Sequence, residues 1–251
     1  MYKFIVKHIV AIASIFAAVL MFIPLPELAL NISYILIWGY CMILMMVVRN
    51  SKEKMLTLPR KILFLSLIIL NIAISYARII LMFEMHIRIS PENSFKFMYI
   101  INIVVAVTLL ALSYHFVRKR GSKAAEATAR FALDNMNESL FDIDSKLNSG
   151  AITEEEADQQ KEKVRQDIDF FSCLDGSSRF LEGNMKALIF IYVLSIVGGC
   201  LYGVLKNAYS IQDALNIVSL TSLLSTICGS MCITILATCV SHSLLNIKDS
   251  E

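Results

Sequence analysis

A short list of side chains has the type and spacing to do chemistry. Asn71, Ser75 and Arg78 recur at i, i+4 and i+7 within an apolar run, so on a helix they share one face. A charge inside such a run marks a functional site by default, and Arg78 reads two ways. It stands near the end of the run, so its guanidinium can snorkel to the membrane interface; Asn71 and Ser75 on the same face favour a polar seam inside a helix bundle. Cys228 and Cys232 also share a helix face, but no acidic or histidine partner follows within a turn or two. They read as small packing residues rather than metal ligands. Ser195, Gly199 and Gly203 recur at four-residue spacing, as do Ser222, Thr226, Ser230, Thr234 and Thr238. Small residues in such stripes let helix backbones approach closely, and helix packing is the favoured reading. A water-lined surface is the alternative, because Asn216, Thr221 and Ser225 fall on the same run. No phosphate-binding loop, nucleophile with its base, or metal cluster occurs, so the sequence predicts no enzyme, no metal and no cofactor.

The elements that position these residues follow from composition. The chain has 251 residues, 57% of them hydrophobic and 18% charged, with a mean hydropathy of +0.64. That composition excludes a soluble enzyme, intrinsic disorder and a disulfide scaffold. A net charge of +2 without a basic, aromatic-interleaved patch gives no reason to expect nucleic acid as a partner. A bilayer core of about 30 Å needs roughly 20 apolar residues per helix, and six stretches qualify: Phe4 to Ile23, Leu28 to Val48, Ile62 to Phe83, Phe97 to Val117, Ala187 to Leu205, and Ala214 to Val240. The first reads as an anchor rather than a signal peptide, because no small-x-small cleavage site follows it. Pro24 and Pro26 make a tight turn into the second.

Charge sets the expected orientation. Residues 49–61 carry Arg49, Lys52, Lys54, Arg60 and Lys61, whereas residues 86–96 carry only Arg88 and Lys96. The first loop is therefore expected in the cytoplasm, with both termini and the polar stretch 118–186 on the same side. That stretch holds 11 of the 23 Lys and Arg residues and 14 of the 21 Asp and Glu residues. The chain thus divides into transmembrane helices one to four (1–117), a cytoplasmic helical module (118–186), and helices five and six with a short cytoplasmic tail (187–251). The predicted fold is an all-α polytopic membrane protein with about six transmembrane helices and a small helical cytoplasmic module between helices four and five.

The module reads as three helical pieces. One covers Ala124 to Asp134 close to the membrane, and a second covers about Met136 to Asn148, with Gly150 as its C-terminal cap. A third opens on the capping box Thr153-x-x-Glu156, with Glu154 and Glu155 favourably placed at its positive end, and runs to about Asp169.

This module also carries a resemblance. The run Ala129-Arg130-Phe131-x-Leu133-Asp134-x-Met136 is followed by Ile143-Asp144-x-x-Leu147-x-x-Gly150-x-Ile152 and Glu156-Ala157. Next come Asp169-Phe170-Phe171 and Asp175-Gly176-x-Ser178-Arg179-Phe180-x-x-Gly183. In order and spacing these resemble the FHIPEP family, the large export-gate membrane proteins of flagellar and virulence type III secretion systems. The Pro24-Leu25-Pro26 turn, Pro59, Arg78-Ile79-Ile80-Leu81 and Gly198-Gly199 agree more loosely.

The resemblance implies a subunit of the bacterial inner membrane that forms a homo-oligomeric ring with other export-apparatus membrane subunits. It would help couple the proton-motive force to export of unfolded proteins, within the lipid bilayer. It makes Asp144, with Asp134, the proton-coupling candidate; Arg130, Phe131, Gly150, Asp175, Gly176, Phe180 and Gly183 are carried over as structural motif positions. A proton-coupling carboxyl needs burial or neighbouring carboxylates to raise its pKa from about 3.9. Asp142 and Glu138 are nearby negative charges, while Lys146 acts the other way. Departures run through the chain: the family lysine after Met-Pro-Gly is Ser139, its aspartate two positions after the coupling one is Lys146, and its membrane aspartates fall at Asn31 and Ser225. Its Arg and Asn in span three are Ile69 and Ala73. Family members continue with two further spans and a large cytosolic domain. Retained Asp144, Asp134 and Arg78 favour a working export-gate subunit. The neutralised positions favour a truncated or degenerate paralogue acting only in structure or assembly.

Overall fold

A computed structural model of the chain describes residues 26–51, 56–82, 98–207 and 209–248. Among them the regular structure is entirely helical: α1 (Glu27–Asn50), α2 (Leu58–Met82), α3 (Met98–Phe116), a π-helical turn (Val117–Ser122), α4 (Lys123–Asn148), α5 (Glu154–Asn207) and α6 (Ile211–Lys248). Among the described residues, five helices are long and apolar enough to cross a membrane. The sequence predicts six; the expected first span, Phe4 to Ile23, lies outside the described residues, as does the Pro24 turn.

The polar module differs from its expected form. Its first two pieces are one helix, α4, because neither glycine nor proline stands near Asn135 to break it. The third piece does not stop at Asp169. It continues into the expected span five as a single helix of 54 residues, about 80 Å long at 1.5 Å per residue. Phe170, Phe171, Leu174, Leu181, Met185 and Leu188 are all buried along it, so the apolar stripe that begins in the polar module runs without interruption into the membrane part. Gly176 and Gly183 lie inside this helix, each costing about 1 kcal/mol relative to alanine, and packing against α2, α4 and α6 overrides that cost.

Local signals shape the hairpin between α4 and α5. Gly150 adopts φ of +72° just past the end of α4. Its N–H donates to the Leu147 carbonyl, and the Ala151 N–H donates to the Lys146 carbonyl, each at 3.0 Å, which together form a Schellman cap. The Thr153 N–H donates to Glu156 Oε2 at 2.8 Å, and the Glu156 N–H donates to Thr153 Oγ1 at 3.3 Å, the reciprocal pair of a capping box.

The last helix is the centre of the bundle, lying against α1, α2, α3 and α5. Thr221, Ser222, Ser230, Thr234 and Thr238 each donate a hydroxyl to a carbonyl one turn back on α6. Their polarity is thus satisfied within the helix, leaving compact surfaces against neighbours. Outward-facing Ile35, Leu36, Ile43 and Met46 on α1, Val104 and Val107 on α3, and Phe190, Val193 and Val197 on α5 are exposed, as lipid-facing residues must be.

Candidate functional site

Helices α1, α2 and α6 line a cavity of about 360 Å³ that opens outward where Ile35, Leu224 and Met231 are exposed. Tyr34 comes from α1 and Tyr76 from α2, both buried, with their rings stacked at 5.5 Å. Hydroxyls of Tyr34 and Ser225 are 3.4 Å apart, and the Tyr76 hydroxyl donates to Asn31 Oδ1. Four polar groups from three helices are thus paired within the apolar part of the bundle, where an unpaired group costs several kcal/mol. Trp38, Cys228, Met231 and Cys232 complete much of the wall. Nothing in the spacing of residues 31, 34, 76 and 225 shows this grouping; the signal available in the sequence is the pair of aromatics Tyr34 and Trp38, one and two turns beyond Asn31.

The expected seam on α2 sits elsewhere. Asn71 Nδ2 donates to the Leu67 carbonyl and Ser75 Oγ to the Asn71 carbonyl, both at 3.0 Å, so both bond within their own helix. Ser75 is buried, whereas Asn71 and Arg78 are half-buried. None of the three lines the cavity.

Small residues of α5 meet two helices. A Cβ added at Gly199 would fall 3.0 Å from Ile80 of α2 and from Val218 of α6, and one at Gly198 would fall 2.3 Å from the Leu81 side chain. Ser195 and Gly203 are buried on the same helix. Other cross-helix bonds are polar: Asn184 Nδ2 donates to the Ser66 carbonyl at 2.9 Å, Asn102 Nδ2 to Ser219 Oγ at 3.3 Å, and the Tyr99 N–H to Asn216 Oδ1 at 3.0 Å. Asn216 thereby satisfies a donor at the start of α3 that has no partner within its own helix.

In the hairpin, Asp144 is exposed and Lys161 of α5 places its ammonium 2.7 Å from Asp144 Oδ1. Lys146 pairs with Asp142 at 2.6 Å rather than with Asp144. Burial and a facing carboxylate, the two conditions for a coupling carboxyl, are not met there; the nearest charge is a lysine. Asp134 and Phe131 are exposed. Arg130 pairs with Glu126 at 2.6 Å, Arg179 reaches the same Glu126 at 3.5 Å, and Arg179 Nε also donates to Asp175 Oδ2 at 3.0 Å. Phe180 is half-buried, and Gly176 and Gly183 have no atom within 4 Å of an added Cβ. Among the described residues, no group of three or more His, Cys, Asp or Glu side chains could hold a metal ion.

A model of the FHIPEP family matches residues 17–243. The chain belongs to that family. Its relatives include the flagellar biosynthesis protein FlhA of Bacillus subtilis, 30% identical over 211 residues that cover 82% of this chain and 31% of the relative. FlhA of Salmonella typhimurium is 32% identical over 78% of this chain and 30% of its own length. FlhA of Borreliella burgdorferi is 28% identical over 85% and 32% respectively. The chain spans about a third of the length of the curated relatives it matches. No solved structure matches it. With five apolar helices, this FHIPEP chain is a multi-pass membrane protein. Asn31 and Ser225, the positions where the resemblance sets acidic FHIPEP residues, line one and the same cavity. Ile69 and Ala73, which stand where the family carries Arg and Asn, are buried in the apolar core.

Proposed function

We propose that this chain is the membrane part of an export-gate subunit of a flagellar type III protein export apparatus. It sits in the inner membrane, with both termini and the α4–α5 hairpin in the cytoplasm. The observation that carries the reading is the FHIPEP match over residues 17–243 together with relatives named as flagellar biosynthesis proteins. In this role it acts as a transport subunit rather than an enzyme, packs with further copies in a ring beside other membrane subunits of the apparatus, and helps couple the proton-motive force to passage of unfolded proteins. The family resemblance makes Asp144 the coupling candidate, with Lys161 as its counter-ion in the resting hairpin.

A second reading rests on the cavity. With Asn31 and Ser225 in place of two acids, the intramembrane pocket has no carboxylate among its described lining residues, which supports a copy that packs in the assembly without moving protons. Complementation separates the two. This chain is expressed with the remaining domains of a full-length relative in a strain lacking that relative, and membrane assembly and export are both measured. Assembly with export supports the working gate; assembly without export overturns it and leaves the structural role.

A further inference from the structure

The π-helical turn Val117–Ser122, which joins α3 to α4, is anchored on α6. Ser241 Oγ donates to the Arg120 carbonyl at 2.7 Å, and a Cβ on Gly121 would fall 3.3 Å from that of Ala237. The turn therefore presents its side chains from a fixed platform. The Lys123 N–H closes the turn on the Arg118 carbonyl five residues back, and Lys119 and Lys123, four residues apart, share a face. Arg118, Lys119, Arg120 and Lys123 are all exposed. The Arg120 guanidinium is held 5.5 Å from the centroid of the Phe116 ring, four residues back toward the apolar run of α3.

Nearby carboxylates are already engaged. Glu182 faces Arg118 and pairs with Lys186 at 3.0 Å, and Glu126 pairs with Arg130 and Arg179. Among the described residues no ion pair engages Lys119 or Lys123. Because the apolar run ends at Phe116, the four cations stand at the depth of phospholipid headgroups. Clustered Lys and Arg immediately outside a membrane helix each raise the affinity for anionic lipid by about fivefold.

We propose that the π-turn between α3 and α4 binds the headgroup phosphate of an anionic phospholipid through Lys119 and Lys123, with Arg120 alongside and the acyl chains lying against the outward face of α3 at Leu112 and Val105. The inference rests on the end of the apolar run and on the turn, not on the export reading.

The test reconstitutes the full chain in vesicles of phosphatidylcholine with an equal share of phosphatidylglycerol and counts lipids retained after extraction by native mass spectrometry. Wild-type protein should retain phosphatidylglycerol preferentially. Lys119→Gln with Lys123→Gln should lower that preference by roughly tenfold or more. Lys119→Arg with Lys123→Arg should keep it, and Lys163→Gln with Arg165→Gln, an equal charge loss on the hairpin, should leave it unchanged. Monodisperse elution of each variant confirms folding. Soluble glycerol phosphate should not compete, because it lacks the chains that seat on α3. Equal retention of both lipids by the wild type, an unchanged preference in the Lys119 and Lys123 glutamine variant, loss of preference in the arginine variant, an equal loss in the hairpin control, or full competition by glycerol phosphate would each overturn the proposal.

Discussion

The ammonium of Lys161 lies 2.7 Å from Asp144 Oδ1, tying α5 to α4 across the hairpin by a pair whose side chains are 29% and 54% exposed. At that exposure an ion pair contributes at most about 1 kcal/mol, so its removal tests chemistry with little cost to the fold.

Asp144→Asn should therefore assemble at wild-type levels and abolish export. The double exchange Asp144→Lys with Lys161→Asp keeps the attraction but moves the carboxylate to α5; it should fold and still fail to export. Export restored by the exchange would reduce Asp144 to an ion-pair partner. Complementation, with membrane levels checked by immunoblotting, reads both variants.

Gly199 is wedged between Ile80 and Val218 at distances where a Cβ already crowds both. Gly199→Leu forces the helices apart, at a cost of at least about 1–3 kcal/mol, and should sharply lower the yield of monodisperse protein. Val193→Leu, on the exposed face of the same helix, should leave the yield as it is. Equal yields would remove the packing argument.

The hairpin turn depends on a left-handed residue. Gly150→Ala places a Cβ at φ of +72° and should destabilise the turn by roughly 1–2 kcal/mol, seen as faster hydrogen exchange at residues 147–157 and unchanged exchange in α6. Protection that does not fall would show that the turn carries no strain.

The same hairpin should loosen in acid. Hydrogen bonds from the Thr153 N–H and then its hydroxyl hold the Glu156 carboxyl below its ordinary value. A carboxyl depressed in the folded state contributes stability that is fully present above the unfolded value, about 4.3, and is lost as pH falls through the lower folded value. Amide protection at residues 154–157, corrected for intrinsic exchange, should drop below about pH 4.3, and Glu156→Gln should flatten that dependence. A wild-type profile as flat as that of the variant would contradict the cap.

Orientation is checked by reporter fusions. Fusions after Lys54 and Gly150 should report the cytoplasm, and fusions after Ser90 and Asn207 the opposite side, as the loop charges require. A fusion at Gly150 reporting the far side of the membrane would overturn the proposed sidedness.

Much of this molecule is legible along the chain because its determinants are local. Twenty apolar residues demand a helix in lipid whatever surrounds them, and the Thr153–Glu156 box and the Gly150 cap close hydrogen bonds over three to five residues. The family motifs of residues 129–183 are likewise a matter of order and spacing. Where local propensity and packing compete, the linear reading fails: Asp169 looks like an end, yet Phe170, Phe171 and Leu174 bury against neighbouring helices and draw α5 straight through two glycines. The cavity of Asn31, Tyr34, Tyr76 and Ser225, the Lys161–Asp144 pair and the seating of the π-turn on Ser241 were decided only by tertiary structure. Each joins residues on different helices, and whether they meet depends on how far one helix is rotated and slid against another. One residue of slip turns a side chain by 100° and removes it from its partner, and no spacing within a single helix encodes that register.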